Sequence, residues 1–122
     1  MDIVVKRIYE PALVSDGKRI LVDRLWPRGI SKERAQIDIW NKDITPSPDL
    51  RKWFGHKEEN FKVFSHNYRQ ELINDSEKIQ AVKDVLDLNK ENKITLLYAA
   101  RSEIINHAVI LRDYLNEVKQ GS

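Results

Sequence analysis

Apolar residues concentrate in three short segments that are typical of β-strands. The first, Ile3 to Tyr9, is rich in β-branched residues, and the second, Lys18 to Trp26, alternates between two faces after a turn at Asp16-Gly17. The third, Ile94 to Ala99, has almost no polar interruption, as is typical of a central parallel strand. The pattern therefore predicts a small sheet with a buried strand late in the chain.

Elsewhere apolar residues recur three and four positions apart, which predicts helices. Two short helices are expected, over Lys32 to Gln36 with Ser31 as its cap, and over Asp49 to Phe54, begun by Ser47-Pro48 and ended by Gly55. Longer amphipathic helices are expected over Lys57 to Ile73, between Ser76 and Glu91, and over about Glu103 to Val118. The segment that holds Ile37, Ile39 and Trp40 is compatible with a short strand or an irregular loop.

Helices that separate successive strands favour crossover connections, and therefore parallel pairing. We expect one three-layer α/β domain over residues 1–120, in which a small, mostly parallel sheet is flanked by helices. The final Gly121-Ser122 is interpreted as a tag remnant or a frayed end.

Composition narrows the class of protein. Hydrophobic residues make up 41% of the 122 residues and charged residues 33%, which is typical of a globular protein, and no apolar run has the length of a membrane helix. No leader sequence is visible, and the absence of cysteine excludes disulfides and thiol catalysis, so we expect a cytoplasmic protein. The 21 basic residues nearly balance the 19 acidic ones, which argues against nucleic-acid binding. The sequence leaves monomer and homodimer open.

A first group of candidate site residues follows the second predicted strand, in Asp23-Arg24-Leu25-Trp26-Pro27-Arg28-Gly29. Arg24 and Arg28 carry planar guanidinium groups that suit phosphate or carboxylate, and Trp26 is able to stack on a ring. The structural alternative is that Asp23 pairs with an arginine and Trp26 fills the core under a rigid loop. Both interpretations stay open.

A second group lies in Arg51-Lys52-Trp53-Phe54-Gly55-His56. Arg51 is a candidate anion ligand, and His56 is a candidate acid or base because histidine titrates near neutral pH. Equally, His56 is able to cap the end of its helix. Trp53 and Phe54 are expected to pack in the core.

The third group ranks highest and follows the buried strand, in Ala99-Ala100-Arg101 and Asn106-His107. Ligands of open α/β sheets bind at the carboxyl ends of the strands, where the next helix begins and attracts anions. Arg101 and Asn106 are therefore candidate ligand-binding residues, and His107 is a candidate catalytic residue. The alternatives are a buried His107 bonded to a backbone carbonyl and an Asn106 that only caps a turn.

Established motifs of cofactor and metal sites are missing. The three histidines have no spacing typical of a metal site, so we expect no metal. The chain also has no phosphate-binding glycine loop, dinucleotide fingerprint or nucleophile elbow, which leaves the cofactor unknown.

These motifs, in this order, closely resemble the YeaO-like branch of a large bacterial family catalogued as domain of unknown function 488. The resemblance covers about Val5 to Leu115 and implies a small, single-domain α/β protein with no assigned activity. Other branches carry a cysteine near the end of the last strand and a Cys-His pair in the following helix. Tyr98 and Asn106-His107 take those places here, so any thiol chemistry of those branches is not available to this chain.

Our leading hypothesis joins the three groups into one site. Loops that converge at one end of the sheet would form a basic, aromatic-lined pocket for a small anionic ligand, such as a phosphorylated metabolite or a nucleotide. The sequence does not decide whether the protein is an enzyme. The alternative is a non-enzymatic interaction module that presents Trp26, Trp40 or Trp53 together with arginines as interface anchors.

Overall fold

A parallel sheet of four strands organises the molecule, which the computed structural model describes for residues 1–121. The strands are β1 (Ile3–Arg7), β2 (Lys18–Leu21), β3 (Ile39–Trp40) and β4 (Ile94–Tyr98). Their order is β1-β4-β2-β3, and every neighbouring pair is parallel. All five residues of β4 are buried, which confirms it as a central strand. The carboxyl ends of the strands consequently meet at one edge of the sheet.

Five α-helices connect and cover the strands. They are α1 (Lys32–Ala35), α2 (Pro48–Phe54), α3 (Phe61–Asn74), α4 (Ser76–Asn89) and α5 (His107–Gly121). The predicted capping is confirmed, since Ser31 Oγ accepts from the Arg34 N–H and Ser47 Oγ accepts from the Leu50 N–H. Gly55 ends α2 in the left-handed region, with φ of 54°. Gly121 is the last residue of α5, and Ser122 lies outside the described residues.

The sheet separates two apolar cores, which confirms the three-layer α/β arrangement. Helices α2 to α5 cover one face, where Ile20, Leu96 and Leu111 are fully buried. Loops and the short helix α1 cover the other face, where Ile8, Leu21 and Leu97 are buried beside Ala35. None of the helices within residues 1–121 combines the length and the apolar composition needed to cross a lipid bilayer.

The second strand is shorter than predicted, because it ends at Leu21 and not at Trp26. The Val22 N–H still donates to Leu97 O at 3.0 Å. The Val22 carbonyl, however, accepts from the His107 ring at 2.7 Å, and the Ala99 N–H donates to the Asp23 carboxylate at 3.0 Å. Side chains thus take over the hydrogen bonds that a longer backbone ladder would need.

The predicted start of the last helix at Glu103 is wrong by four residues. Ser102 Oγ accepts from the N–H groups of Ile104 and Ile105, so these residues form a turn and not a helix. Asn106 Oδ1 then accepts from the Val109 N–H and caps α5. Ile104, inside the predicted helix but outside the observed one, is 73% exposed. An irregular loop therefore separates the end of β4 from α5.

Interior cations on the loop-covered face of the sheet are paired. Asp16 lies 3.0 Å from Lys6 Nζ and 2.6 Å from Arg19 Nη1. Burial alone would raise the pKa of Asp16, but hydrogen bonds from the Leu13 N–H, Lys6 and Arg19 outweigh it and lower the pKa. The two cations share this carboxylate and also donate to backbone carbonyls, Lys6 to Pro11 O and Arg19 to Ala35 O.

Candidate functional site

A cavity of about 910 Å³, here called the edge cavity, opens at the carboxyl edge of the sheet, beside the ends of β2 and β4. Its rim consists of exposed side chains: Arg24, Leu25, Pro48, Lys52, His56 and Arg101. Its floor consists of buried or mostly buried side chains: Asp23, Thr45, Phe54, Phe64, Asn106 and His107. Arg51, Ala99 and Ala100 form the wall between them.

Four cationic side chains line the edge cavity, and they come from three separate segments of the chain. Arg24 follows β2, Arg51 and Lys52 belong to α2, and Arg101 follows β4. None of the four side chains forms a hydrogen bond or a salt bridge with another residue between 1 and 121, in contrast to the paired Lys6 and Arg19. Asp23 is the single carboxylate in the lining. The cavity therefore combines an excess of positive charge with unused donors.

Helix α3 fixes the position of α2 and hence of Arg51. The Ser47 N–H and Oγ–H both donate to the carboxylate of Glu71, at 2.8 and 2.6 Å. The buried Tyr68 hydroxyl donates to Ile44 O at 2.7 Å and anchors the segment that leads into α2. These bonds place the first turn of α2 against the opening of the cavity.

Arg51 carries an unusual atom. Its Nε is buried and has no hydrogen-bond partner, and no other buried side-chain nitrogen or oxygen in residues 1–121 shares that condition. An unsatisfied buried donor costs about 1–3 kcal/mol. Such a cost is typical of a position that is selected for something other than the stability of the folded chain.

Asp23 and His107 lie side by side in the floor. His107 Nε2 lies 2.7 Å from Val22 O and 3.4 Å from Asp23 Oδ1. Because a carbonyl only accepts, Nε2 carries the proton of the neutral ring, and Nδ1 is left as an acceptor without a partner among the described residues. Burial lowers the pKa of His107, although the Asp23 carboxylate opposes this. The ring is consequently neutral at pH 7.

The carboxyl group of Asp23 is held by the end of β4. Its Oδ2 accepts from the Ala99 N–H at 3.0 Å. Burial raises the pKa of Asp23. A positive charge on the His107 ring lowers this pKa, and so does the hydrogen bond from the Ala99 N–H. Arg7 stabilises the same stretch from outside the cavity by donating to Ala100 O at 2.9 Å and Ala99 O at 3.2 Å.

No group of three or more potential metal-ligating side chains is present within residues 1–121.

Aromatic rings give the inner part of the edge cavity an apolar surface. The rings of Phe54 and Phe64 stack with their centroids 4.1 Å apart and their planes 13° apart. The Phe54 ring also lies 5.7 Å from the ring of His56. The cavity is therefore cationic at its rim and aromatic toward its floor.

His56 has a strained backbone. Its φ is 58°, directly after Gly55 at 54°, and a left-handed residue other than glycine costs about 1–2 kcal/mol. The conformation carries the chain away from the end of α2 and leaves the imidazole exposed at the rim. Strain of this kind is common at functional sites.

Asn106 lines the cavity but is committed to the loop. Its Nδ2 donates to Ser102 O at 2.9 Å, its Oδ1 accepts from the Val109 N–H at 3.0 Å, and the residue is 1% exposed. Its contacts correspond to the capping role that the sequence left open.

Trp26 and Arg28 lie outside the lining. The Trp26 indole donates to Ile30 O at 2.8 Å and packs edge-on against Trp40, with ring centroids 5.5 Å apart, in the core of the loop-covered face. Arg28 is exposed, and its carbonyl accepts from the Tyr9 hydroxyl at 2.6 Å. The structure thus gathers six of the eight candidate residues around the cavity: Arg24, Arg51, His56, Arg101, Asn106 and His107.

Sequence reasoning missed several lining residues. The sequence favours Asp23 as the partner of an arginine, whereas in the structure its carboxylate accepts from the Ala99 N–H and lies 3.4 Å from His107 Nε2. Its position directly before Arg24 at a strand end was the available signal. Thr45 comes from a segment without a motif, and Phe64 is indistinguishable from other apolar residues of its helix. These contributions depend on tertiary packing.

Comparison with known proteins places the chain in a family. The family model described as "Inactive DUF488-N3 subclade" matches residues 2–121. The chain belongs to this family. The resemblance to the YeaO-like branch is confirmed as well, since the chain is 45% identical over 118 residues to "Uncharacterized protein YeaO" of Escherichia coli (strain K12), an alignment that covers 97% of this chain and all of that protein.

Mycobacterial relatives of this family are similar over slightly less of the chain. The chain is 39% identical over 112 residues to "Uncharacterized protein Rv3073c" of Mycobacterium tuberculosis (strain ATCC 25618 / H37Rv) and to "Uncharacterized protein Mb3100c" of Mycobacterium bovis. Each alignment covers 92% of both proteins. No solved structure matches the chain.

Proposed function

We propose that this protein binds a small phosphorylated anion in the edge cavity, with Arg24, Arg51 and Arg101 as the main ligand-binding residues. One observation carries the proposal. Four cations from three segments of the chain share one cavity with a single carboxylate, and none of them is neutralised by a salt bridge within residues 1–121. Like charges held together in this way favour an anionic guest.

Charge favours phosphate over a simple carboxylate. A phosphate monoester carries about 1.5 to 2 negative charges at pH 7 and three strong acceptor oxygens. Three guanidinium groups are able to approach these oxygens from different sides with charge-assisted hydrogen bonds. A single carboxylate would leave most of the positive field uncompensated.

The proposed role is binding without turnover. The family description contains the word "inactive", which supports this choice. The contacts also support it, because His107 Nε2 is held by the Val22 carbonyl and Asn106 is held by the loop. His107 and His56 then contact the ligand and do not transfer protons to it. The proposal includes the cytoplasmic location expected from the sequence.

The alternative interaction module has less support. Trp26 and Trp40 pack against each other and bond to backbone carbonyls, so Trp53, which is 48% exposed, would be the main aromatic anchor. One exposed tryptophan is common on protein surfaces and does not by itself indicate a partner.

The proposal is tested by thermal melting with inorganic phosphate, and with sodium chloride at equal ionic strength as the reference. At ten times the Kd, phosphate should stabilise the fold by about 1.4 kcal/mol. Arg101→Ala should reduce the stabilisation strongly. Arg28→Ala is the matched control, since Arg28 is exposed near the same strand end but outside the lining. No stabilisation of the wild type, or an equal stabilisation of Arg101→Ala, contradicts the proposal.

A further inference from the structure

The edge cavity has two chemically different ends. The rim carries Arg24, Lys52 and Arg101, all of them exposed and without a salt bridge in residues 1–121. The floor carries Asp23 and His107, whose side chains are 17% and 15% exposed. A ligand that fills the cavity therefore meets cations at one end and a mostly buried polar pair at the other.

The free hydrogen-bonding capacity of the floor is that of an acceptor. His107 donates its Nε2–H to Val22 O, which leaves the Nδ1 lone pair as the unused atom of the ring. Asp23 Oδ2 is occupied by the Ala99 N–H, and Oδ1 keeps a lone pair beside His107. Asn106 has a bond at each end of its amide. A second anionic group placed here would meet these acceptors and the Asp23 carboxylate, and Arg51 in the wall is the arginine whose charge acts on both Asp23 and His107.

The surface next to this pair is aromatic. Phe54 and Phe64 are 4% and 1% exposed, and they stack on each other at 4.1 Å. Flat, uncharged rings pack well against such a surface. The inner end thus suits a ring that carries a hydrogen-bond donor.

We infer that the ligand is a phosphomonoester of a flat ring, with its phosphate at the arginine rim and an uncharged N–H or O–H donor of the ring at His107 Nδ1 and Asp23 Oδ1. This inference rests on the proposed function and adds the chemical nature of the part of the ligand that lies away from the phosphate. It excludes inorganic phosphate and diphosphorylated compounds with a phosphate at each end as the best ligands.

Two probes of equal size test the inference by calorimetric titration at pH 7.5. 4-Aminophenyl phosphate carries a neutral donor opposite its phosphate, whereas 4-methylphenyl phosphate carries a methyl group in the same place. One additional hydrogen bond should make the amino compound bind about five- to tenfold more tightly. Both compounds should bind more tightly than inorganic phosphate, because they also bury a ring.

His107→Gln separates the donor from the acceptor function of the ring. The Gln amide N–H is able to replace the hydrogen bond to Val22 O, but the acceptor at the position of Nδ1 is lost. The preference for the amino compound should disappear in this variant and persist in His66→Gln, a matched change on the exposed face of α3. If His107→Gln does not fold, the comparison of the two probes on the wild type still decides.

The outcomes separate the two levels of the argument. Equal binding of both probes by the wild type overturns the inference and leaves the proposed anion site intact. A preference that survives in a folded His107→Gln overturns the assignment of the donor to this pair. Failure of all three phosphates to bind overturns the proposed function, and the inference with it.

Discussion

Replacing Arg51 with methionine is expected to stabilise the unliganded protein, although the residue is partly buried and central to the proposed site. Methionine retains the unbranched apolar stem, and it resembles arginine in helix propensity, so α2 should form as before. The substitution removes the buried Nε–H that has no partner and one of four cations that share the edge cavity.

The expected change in the free energy of unfolding follows from two opposing contributions. Removal of an unsatisfied buried donor relieves about 1–3 kcal/mol. The charge of Arg51 also acts favourably on Asp23, whose pKa it helps to lower, and this attraction is lost. We expect a net gain of about 1 kcal/mol in the free energy of unfolding, which corresponds to a rise in Tm of about 3–6 °C for a chain of this length.

Urea and thermal unfolding without phosphate provide the measurement. Arg69→Met is the matched control, because Arg69 lies on a neighbouring helix and is paired with Glu117 at 2.6 Å on an exposed face. That variant should lose about 0–1 kcal/mol. Arg51→Met should also lose phosphate binding while Arg69→Met keeps it. A loss of more than about 1 kcal/mol in Arg51→Met would show that the guanidinium is satisfied and would refute the reasoning.

Two further predictions concern the frame of the site. Gly17→Ala should destabilise the fold by far more than Gly29→Ala, for which about 1 kcal/mol is expected. Both glycines have positive φ, but a Cβ at Gly17 would clash with the carbonyl oxygen of Lys93, whereas a Cβ at Gly29 meets nothing within 4 Å. Urea unfolding of the two variants checks this, and similar losses would contradict it. Burial lowers the pKa of His107. Between the ordinary pKa of histidine and this lowered pKa, the unfolded chain binds more protons than the folded chain. The free energy of unfolding therefore falls as the pH drops below about 6.5. The pKa of Asp23 is raised by burial, so Asp23 makes the free energy of unfolding change in the opposite direction at lower pH. Variants separate the two effects. His107→Gln should flatten the fall in the free energy of unfolding between pH 7 and 5.5, and His66→Gln should not.

Local signals in the sequence predicted the frame well. Ser47, Pro48 and Gly55 define α2 by side-chain capping and a left-handed end, which depend only on neighbouring residues. The apolar run from Ile94 predicted a central strand because both of its faces are covered. The order of the strands then brings Arg24 and Arg101 to one edge, so most of the candidate residues could be found without coordinates.

Long-range hydrogen bonds account for what could not be predicted. The end of β2 depends on Asp23 and His107, which are 84 residues apart, and both contacts require the folded sheet. The start of α5 depends on Ser102, whose hydroxyl competes for the N–H groups of an otherwise helical pattern. Trp26 and Arg28 follow Arg24 closely in the chain, yet the Trp26 ring packs into the core of the opposite face. Spacing alone does not reveal which way a loop turns.

The central claim is that the unpaired cations of the edge cavity bind one anion together. An NMR titration of the ¹⁵N-labelled protein with phosphate tests it most directly. We predict that the Arg51 Nε–H signal and the backbone amides of residues 23–25 and 99–107 shift together and saturate with one Kd. Shifts that fail to saturate, or that fall mainly on the paired cluster of Lys6, Asp16 and Arg19, would contradict the account.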